Sequence, residues 1–128
     1  MEGRIKQEIE MLSKKYEVIQ YDPNHQWVLI RYKLPPGWNM SETEILLLIP
    51  AGYPSTKPDN FYVPKGLKSA NPTIQIQNYN ENDHNYLGRQ WGQFSFHVEE
   101  WKPSDDIVSG HNLLTFMMGI EQRLMEIF

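Results

Sequence analysis

From Phe94 to Glu99 the chain alternates: Phe94, Phe96 and Val98 are apolar, and Ser95, His97 and Glu99 are polar. Successive side chains of a strand point to opposite faces, so this period predicts a half-buried strand. The aromatic row enters the core, and Ser95, His97 and Glu99 share the outer face. Elsewhere the period is helical. Ile5, Ile9, Leu12 and Tyr16 predict a helix over residues 4–16, with Lys6, Gln7, Glu10 and Lys14 opposite and Lys14-Lys15 suited to its C-terminal dipole. Arg4, Lys6, Lys14 and Lys15 read as an ordinary solvated face. Leu113, Met117, Ile120, Leu124 and Ile127, widened by Phe116, predict a terminal helix from Asn112 to Ile127 with Ser109 as its N-cap. Met117 and Met118 read as core filler.

Between the helices the pattern predicts a meander of strands over Tyr16–Tyr21, Trp27–Leu34 and Glu44–Ile49. The turns Asp22–His25 and Pro35–Asn39 separate them. The third strand is apolar on both sides and is placed centrally in the sheet. Residues 50–64 are proline-rich yet carry Tyr53, Phe61 and Tyr62, which predicts a rigid ordered loop leading into a short strand at Phe61–Val63. Asn71–Ile76 is assigned a short strand, and the asparagine-rich stretch Gln77–Asn85 a surface loop. Asp83 and His84 are adjacent polar residues with no second cluster, so no metal site is assigned. Asp105–Val108 forms a short turn after Pro103, capped by Ser104. The order of elements gives one α+β domain over residues 1–128.

Composition narrows the function classes. A net charge of -4 and a pI near 5.5 argue against nucleic acid as the main partner. No basic run beyond Lys14-Lys15 offers a membrane-surface patch, and the apolar run Ile45–Pro50 is too short to span a bilayer. The absence of cysteine excludes disulfides, thiolate metal sites and thiol catalysis. The N-terminal stretch is amphipathic, unlike a signal core, so a cytoplasmic protein is expected.

The candidate chemistry sits on the alternating segment. A hydroxyl at Ser95, an imidazole at His97 and a carboxylate at Glu99 are the residue types of base-assisted nucleophilic chemistry. On an extended strand His97 points to the same side as Ser95 and is the candidate base, with Glu99 to orient it. Trp91 and Trp101 are expected to wall the site and pack on the terminal helix. Read from the residues alone, Arg89 is a surface arginine and Asp105 and Asp106 are helix-end charges. A Ser-x-His on a strand is more often structural than catalytic. A serine hydrolase is disfavoured, because there is no Gly-x-Ser-x-Gly elbow and the spacing is unlike that of the usual triads.

Tyr53-Pro54, Pro58 and Phe61 after the third strand, followed by Trp101-Lys102-Pro103 before the terminal helix, resemble the ubiquitin-conjugating-enzyme (UBC) fold over nearly the whole chain. More narrowly, Arg89-x-Trp91-x-x-Phe94-Ser95-x-His97, Trp101-x-Pro103-x-x-Asp106 and the Leu113/Leu114–Ile120–Leu124 helix are similar to a bacterial branch, prokaryotic family E. The usual nucleophilic cysteine and His-Pro-Asn motif are both missing. Asn71-Pro72 is a fragment of that motif lying too far upstream, and Ser95 is the only hydroxyl in the window Gln93–Glu100 where the cysteine would fall.

The resemblance implies a UBC-like fold: N-terminal helix, antiparallel meander, rigid Pro-rich loop and C-terminal helix. It implies as partners a ubiquitin-like protein and an activating-enzyme-like protein, with a JAB-type peptidase in the same pathway. No cofactor is implied for this domain, since the activating partner spends the ATP. Two functions fit. In one, Ser95 accepts the activated C-terminus of the ubiquitin-like protein as an oxyester and passes it to a target; the resemblance then implies that Arg89 meets the incoming carboxyl end or an acidic partner, and that Asp105 or Asp106, just after the Trp-x-Pro where such enzymes often carry an acidic residue, orients an attacking lysine. In the other, the domain is a catalytically inactive UBC/RWD-like adaptor that binds the ubiquitin-like protein or its activating enzyme.

Overall fold

The computed structural model describes residues 2–128. Helix α1 spans Glu2–Lys15, and six strands follow: β1 (Glu17–Tyr21), β2 (Trp27–Lys33), β3 (Glu42–Leu48), β4 (Phe61–Pro64), β5 (Tyr79–Tyr86) and β6 (Arg89–Phe94). Helix α2, Leu113–Leu124, closes the chain. The strands form one antiparallel sheet in the order β1-β2-β3-β4-β6-β5. The α+β class holds, and β3 lies inside the sheet as its two-sided apolar pattern requires.

Both helices cover one face of the sheet. Ile5, Ile9 and Leu12 of α1 and Leu113, Phe116, Met117, Ile120 and Leu124 of α2 pack on Val28, Ile30, Ile45, Leu47, Phe61, Val63 and Phe94. Phe94 stacks on Phe61 with centroids 4.7 Å apart and meets Trp38 edge-on. Burying one such ring stabilises the fold by about 1.5–3 kcal/mol. Met117 is buried as expected, but Met118 is exposed, one residue further round the helix. Asn112 caps α2 in place of Ser109: its side chain accepts from Thr115 N, and the Thr115 hydroxyl accepts from Asn112 N. The helix also ends earlier than its apolar stripe implies, at Leu124.

Trp91 departs from expectation. It is fully buried, yet it packs with Leu29, Leu46 and Tyr62 on the face turned away from the helices. The reason is strand parity: Phe94 faces α2, so Trp91, an odd number of residues away, must face the other side.

The stretch 64–90 also differs. Asn71–Ile76 forms turns and no strand, whereas Gln77–Asn85, expected as a surface loop, largely belongs to β5. β5 is an edge strand, so its asparagines can face water. Its pairing with β6 shifts between Asn80 and His84, where Asp83 takes φ 52°. The hairpin turns at Leu87-Gly88 with φ 56° and 73°, the signs of a type I′ turn. Leucine is a poor residue for that conformation, so the usual Asn-Gly signal is missing.

Tyr16, at the end of α1, and Tyr32 on β2 both donate to the Glu121 carboxylate on α2. Burial first, and Glu121 second, raises the Tyr32 hydroxyl from 10.0 to about 12. A raised folded value means its contribution is complete below pH 10 and fades as pH climbs through about 12. Unfolding followed between pH 9 and 12 should therefore show falling stability, with a shallower fall in Tyr32→Phe; parallel curves would refute the assignment.

Candidate functional site

Strand β6 leaves the ladder after Phe94, but the chain beyond it is not loose. Ser95 N donates to Asn78 O at 2.8 Å. Asn60 N donates to Phe96 O at 2.8 Å, and Phe96 N donates back to Asn60 Oδ1 at 3.1 Å. Asn60 holds this clasp from the left-handed region, φ 62°, which asparagine tolerates better than most residues. Lys57 Nζ then donates to Val98 O at 2.6 Å. Phe96 fills the gap between Phe61 and Phe116, edge-on to each. The aromatic row therefore enters the core as its alternation predicts, although Ser95–Val98 is extended backbone clasped to a loop and not a ladder strand.

Ser95 is half-buried and His97 is exposed. Among the described residues no hydrogen bond joins them. His97 Nδ1 lies 2.5 Å from Asp59 Oδ1, and both side chains are more than half exposed. Glu99 is exposed, and among the described residues no hydrogen bond joins it to His97; the carboxylate bonded to the ring is that of Asp59 in the rigid loop. Sequence spacing could not reveal this pairing across 38 residues; the nearest signal is the turn-prone Asp59-Asn60 pair after Pro58.

The other candidates are spread out. Arg89 pairs with Glu44 at 2.5 Å and lies over the Trp91 ring, centroid distance 4.3 Å. It sits at the far end of β6, roughly 20 Å along an extended chain from Ser95. Asp106 closes its own turn, accepting from Val108 N and the Ser109 hydroxyl. Trp101 is anchored beside the rigid loop: its Nε1 donates to Pro54 O at 2.7 Å, and its ring stacks on His111. His111 and Lys102 bond reciprocally, Lys102 N to His111 Nδ1 and His111 N to Lys102 O. Gly110 is required there, because a Cβ would lie 2.6 Å from Lys102 O.

A buried ionic cluster holds these loops to the helices, and sequence periodicity gave no hint of it. Glu8, fully buried, accepts from Arg4 Nε at 2.7 Å, Tyr53 OH at 2.5 Å and Leu113 N at 2.7 Å. Its carboxylate thus sits at the first residue of α2, where the helix dipole favours negative charge. Burial, then Glu8, pushes the Tyr53 hydroxyl far above the usual tyrosine range. Arg4, expected on a solvated face, is largely covered instead and donates to Ser104 O. α1, the rigid loop and the start of α2 meet at this one carboxylate, and Arg4 ties in the segment after Trp101.

Cavities in the described structure lie away from Ser95. One of about 570 Å³ is lined by Leu67, Ile74, Ile76, Tyr79 and Glu81, one of about 430 Å³ by Leu34, Pro36, Trp38 and Met40, and one of about 370 Å³ by Ile9, Val18, Ile19 and Tyr21. No described helix is long and apolar enough to cross a membrane.

The model of prokaryotic E2 family E matches residues 5–126, and the chain belongs to that family. This membership makes the α+β domain, with its two helices on one sheet face, rigid loop and Trp-x-Pro segment, a conjugating-enzyme-like protein of a ubiquitin-like pathway. The fold is accordingly E2-like, and the lack of cysteine leaves it without the usual nucleophile. The chain matches no curated protein and no solved structure.

Proposed function

We propose that this domain accepts the activated C-terminus of a ubiquitin-like protein on Ser95 and transfers it to a target. The observation that supports this reading is the placement of Ser95 and His97. The clasp on Asn60 and the inward turn of Phe96 hold both residues outward, beside the rigid loop that carries Asp59 and Asn60. Such an outward placement suits an extended protein tail better than an enclosed small molecule.

In the first step Ser95 Oγ attacks the acyl carbon of the activated tail and its proton passes to His97. The C–O ester bond forms, and the bond to the activating partner's leaving group breaks. In the second step a target nucleophile attacks the ester carbon and Ser95 recovers its proton. A serine hydroxyl is not ionised near neutral pH, so the first step needs a base within about 2.6–3.2 Å. His97 must therefore close on Ser95 when substrate binds, a tightening that resting sites often await. The partners are a ubiquitin-like protein and its activating enzyme, with a JAB-type peptidase serving the same pathway, in the cytoplasm.

The resting separation of Ser95 and His97 favours the second reading, an inactive adaptor that binds the ubiquitin-like protein or its activating enzyme. Ser95→Cys separates the two. A thiol is already a few per cent ionised near pH 7. With the ubiquitin-like protein, the activating enzyme and ATP, the variant should accumulate a covalent species cleaved by dithiothreitol, where the wild-type species resists it. A complex that forms without any thiol-cleavable species would leave the adaptor.

A further inference from the structure

We infer that Asp59 is a positioning residue that holds His97 with Nδ1 protonated, leaving Nε2 as the proton acceptor of the site. The inference rests on the acyl-transfer reading only for what Nε2 receives; the orientation of the ring stands on geometry alone.

The geometry is specific. Asp59 Oδ1 is 2.5 Å from Nδ1, and a carboxylate can only accept, so Nδ1 carries the hydrogen. A neutral imidazole with Nδ1–H has its lone pair on Nε2, the nitrogen on the ring's far side from Asp59. The contact is not a chance meeting of two mobile surface chains. Asn60 and Phe96, the residues next to Asp59 and His97, are joined by the two backbone-anchored bonds of the clasp, and Lys57 ties down Val98 beyond. Each neighbour of the pair is thereby fixed, so Asp59 and His97 face one another from pinned backbone. Phe96 packs its ring edge-on against Phe61 and Phe116, which anchors the segment to the core.

The charged groups about His97 are Asp59 and, one step further along the clasp, the Lys57 ammonium, whose contact is Val98 O. Asp59 is thus the carboxylate bonded to the ring, and its loss leaves the tautomer to solvent, where Nε2–H is ordinarily favoured. In that form the nitrogen meant to take a proton already carries one.

The test uses the full-length chain as wild type, Asp59→Asn, Asp59→Ala and Asp59→Glu. Side-chain nitrogen–proton correlation spectra at a pH where His97 is neutral report which ring nitrogen is protonated. Wild type should show Nδ1–H; the alanine variant should shift predominantly to Nε2–H; glutamate should restore part of the wild-type pattern. Asp59 is half exposed, so these variants should fold, and unchanged core resonances verify it. In the reconstituted reaction, acylation should slow by about 10²-fold or more in Asp59→Ala, the scale of a mispositioned base. The same tautomer in wild type and Asp59→Ala would overturn the inference. If the tautomer responds to Asp59 and wild type forms no Ser95 adduct, the ring orientation stands and the acyl-transfer reading falls.

Discussion

Glu8→Ala is expected to destabilise the domain by about 3–5 kcal/mol, the range for removing one partner of a buried ion pair. The substitution removes three hydrogen bonds at once and leaves the largely covered Arg4 guanidinium without its carboxylate. It also opens the N-terminus of α2 at Leu113 N and frees the Tyr53 hydroxyl that pins the rigid loop. Among the described residues Arg4 Nη2 has no hydrogen-bond partner, so the loss of Glu8 falls on a guanidinium that is not fully satisfied there. Denaturant unfolding, with the slope of the transition checked for constancy, measures the loss. Replacing both members, Arg4→Met with Glu8→Leu, should unfold later than Glu8→Ala alone, because an apolar pair strands no charge. A cost of Glu8→Ala within 0.5 kcal/mol of zero, the size of an ordinary surface substitution, would show that the cluster does not organise the loops.

The second large effect concerns rate. His97→Ala should slow acylation of the domain by about 10²–10⁴-fold, the usual contribution of a general base, with little change in stability because the ring is exposed. A serine nucleophile makes the dependence steep: without a base the hydroxyl has no route to lose its proton in step with attack. Single-turnover labelling by the charged activating enzyme measures it, and binding of that enzyme, followed separately, should be unaltered. Equal rates for wild type and His97→Ala would remove His97 from the chemistry.

These two residues were unequally legible in the sequence. The alternation of Phe94, Phe96 and Val98 located His97 on the outer side, since burial of aromatic rings dictates the facing of an extended segment whether or not it joins a ladder. Both helices were legible for the same reason: an apolar stripe at helical spacing must find a core. Glu8 was not, because a charged residue on an amphipathic helix reads as solvated unless its partners are known, and Tyr53 and the N-terminus of α2 lie far along the chain. The partner of His97 was misassigned to Glu99 for a related reason. Local spacing favours a neighbour, whereas the clasp through Asn60 brings Asp59 from the loop before the adjoining strand β4. β5 escaped because an edge strand tolerates polar residues on both faces and its turn is closed by Leu87-Gly88. Trp91 was misplaced because the two tryptophans look alike in sequence, yet strand parity sends it to the opposite face from α2.

The central claim, that Ser95 carries an acyl group, is tested most directly by intact mass. Wild-type protein is mixed with its ubiquitin-like protein, the activating enzyme and ATP, and the products are mapped to residue. The account predicts a covalent adduct of the ubiquitin-like protein less one water, located at Ser95, cleaved by hydroxylamine, resistant to thiols and absent from Ser95→Ala. A stable non-covalent complex with no adduct, the same for wild type and Ser95→Ala, would contradict it and define the domain as an adaptor of E2-like fold.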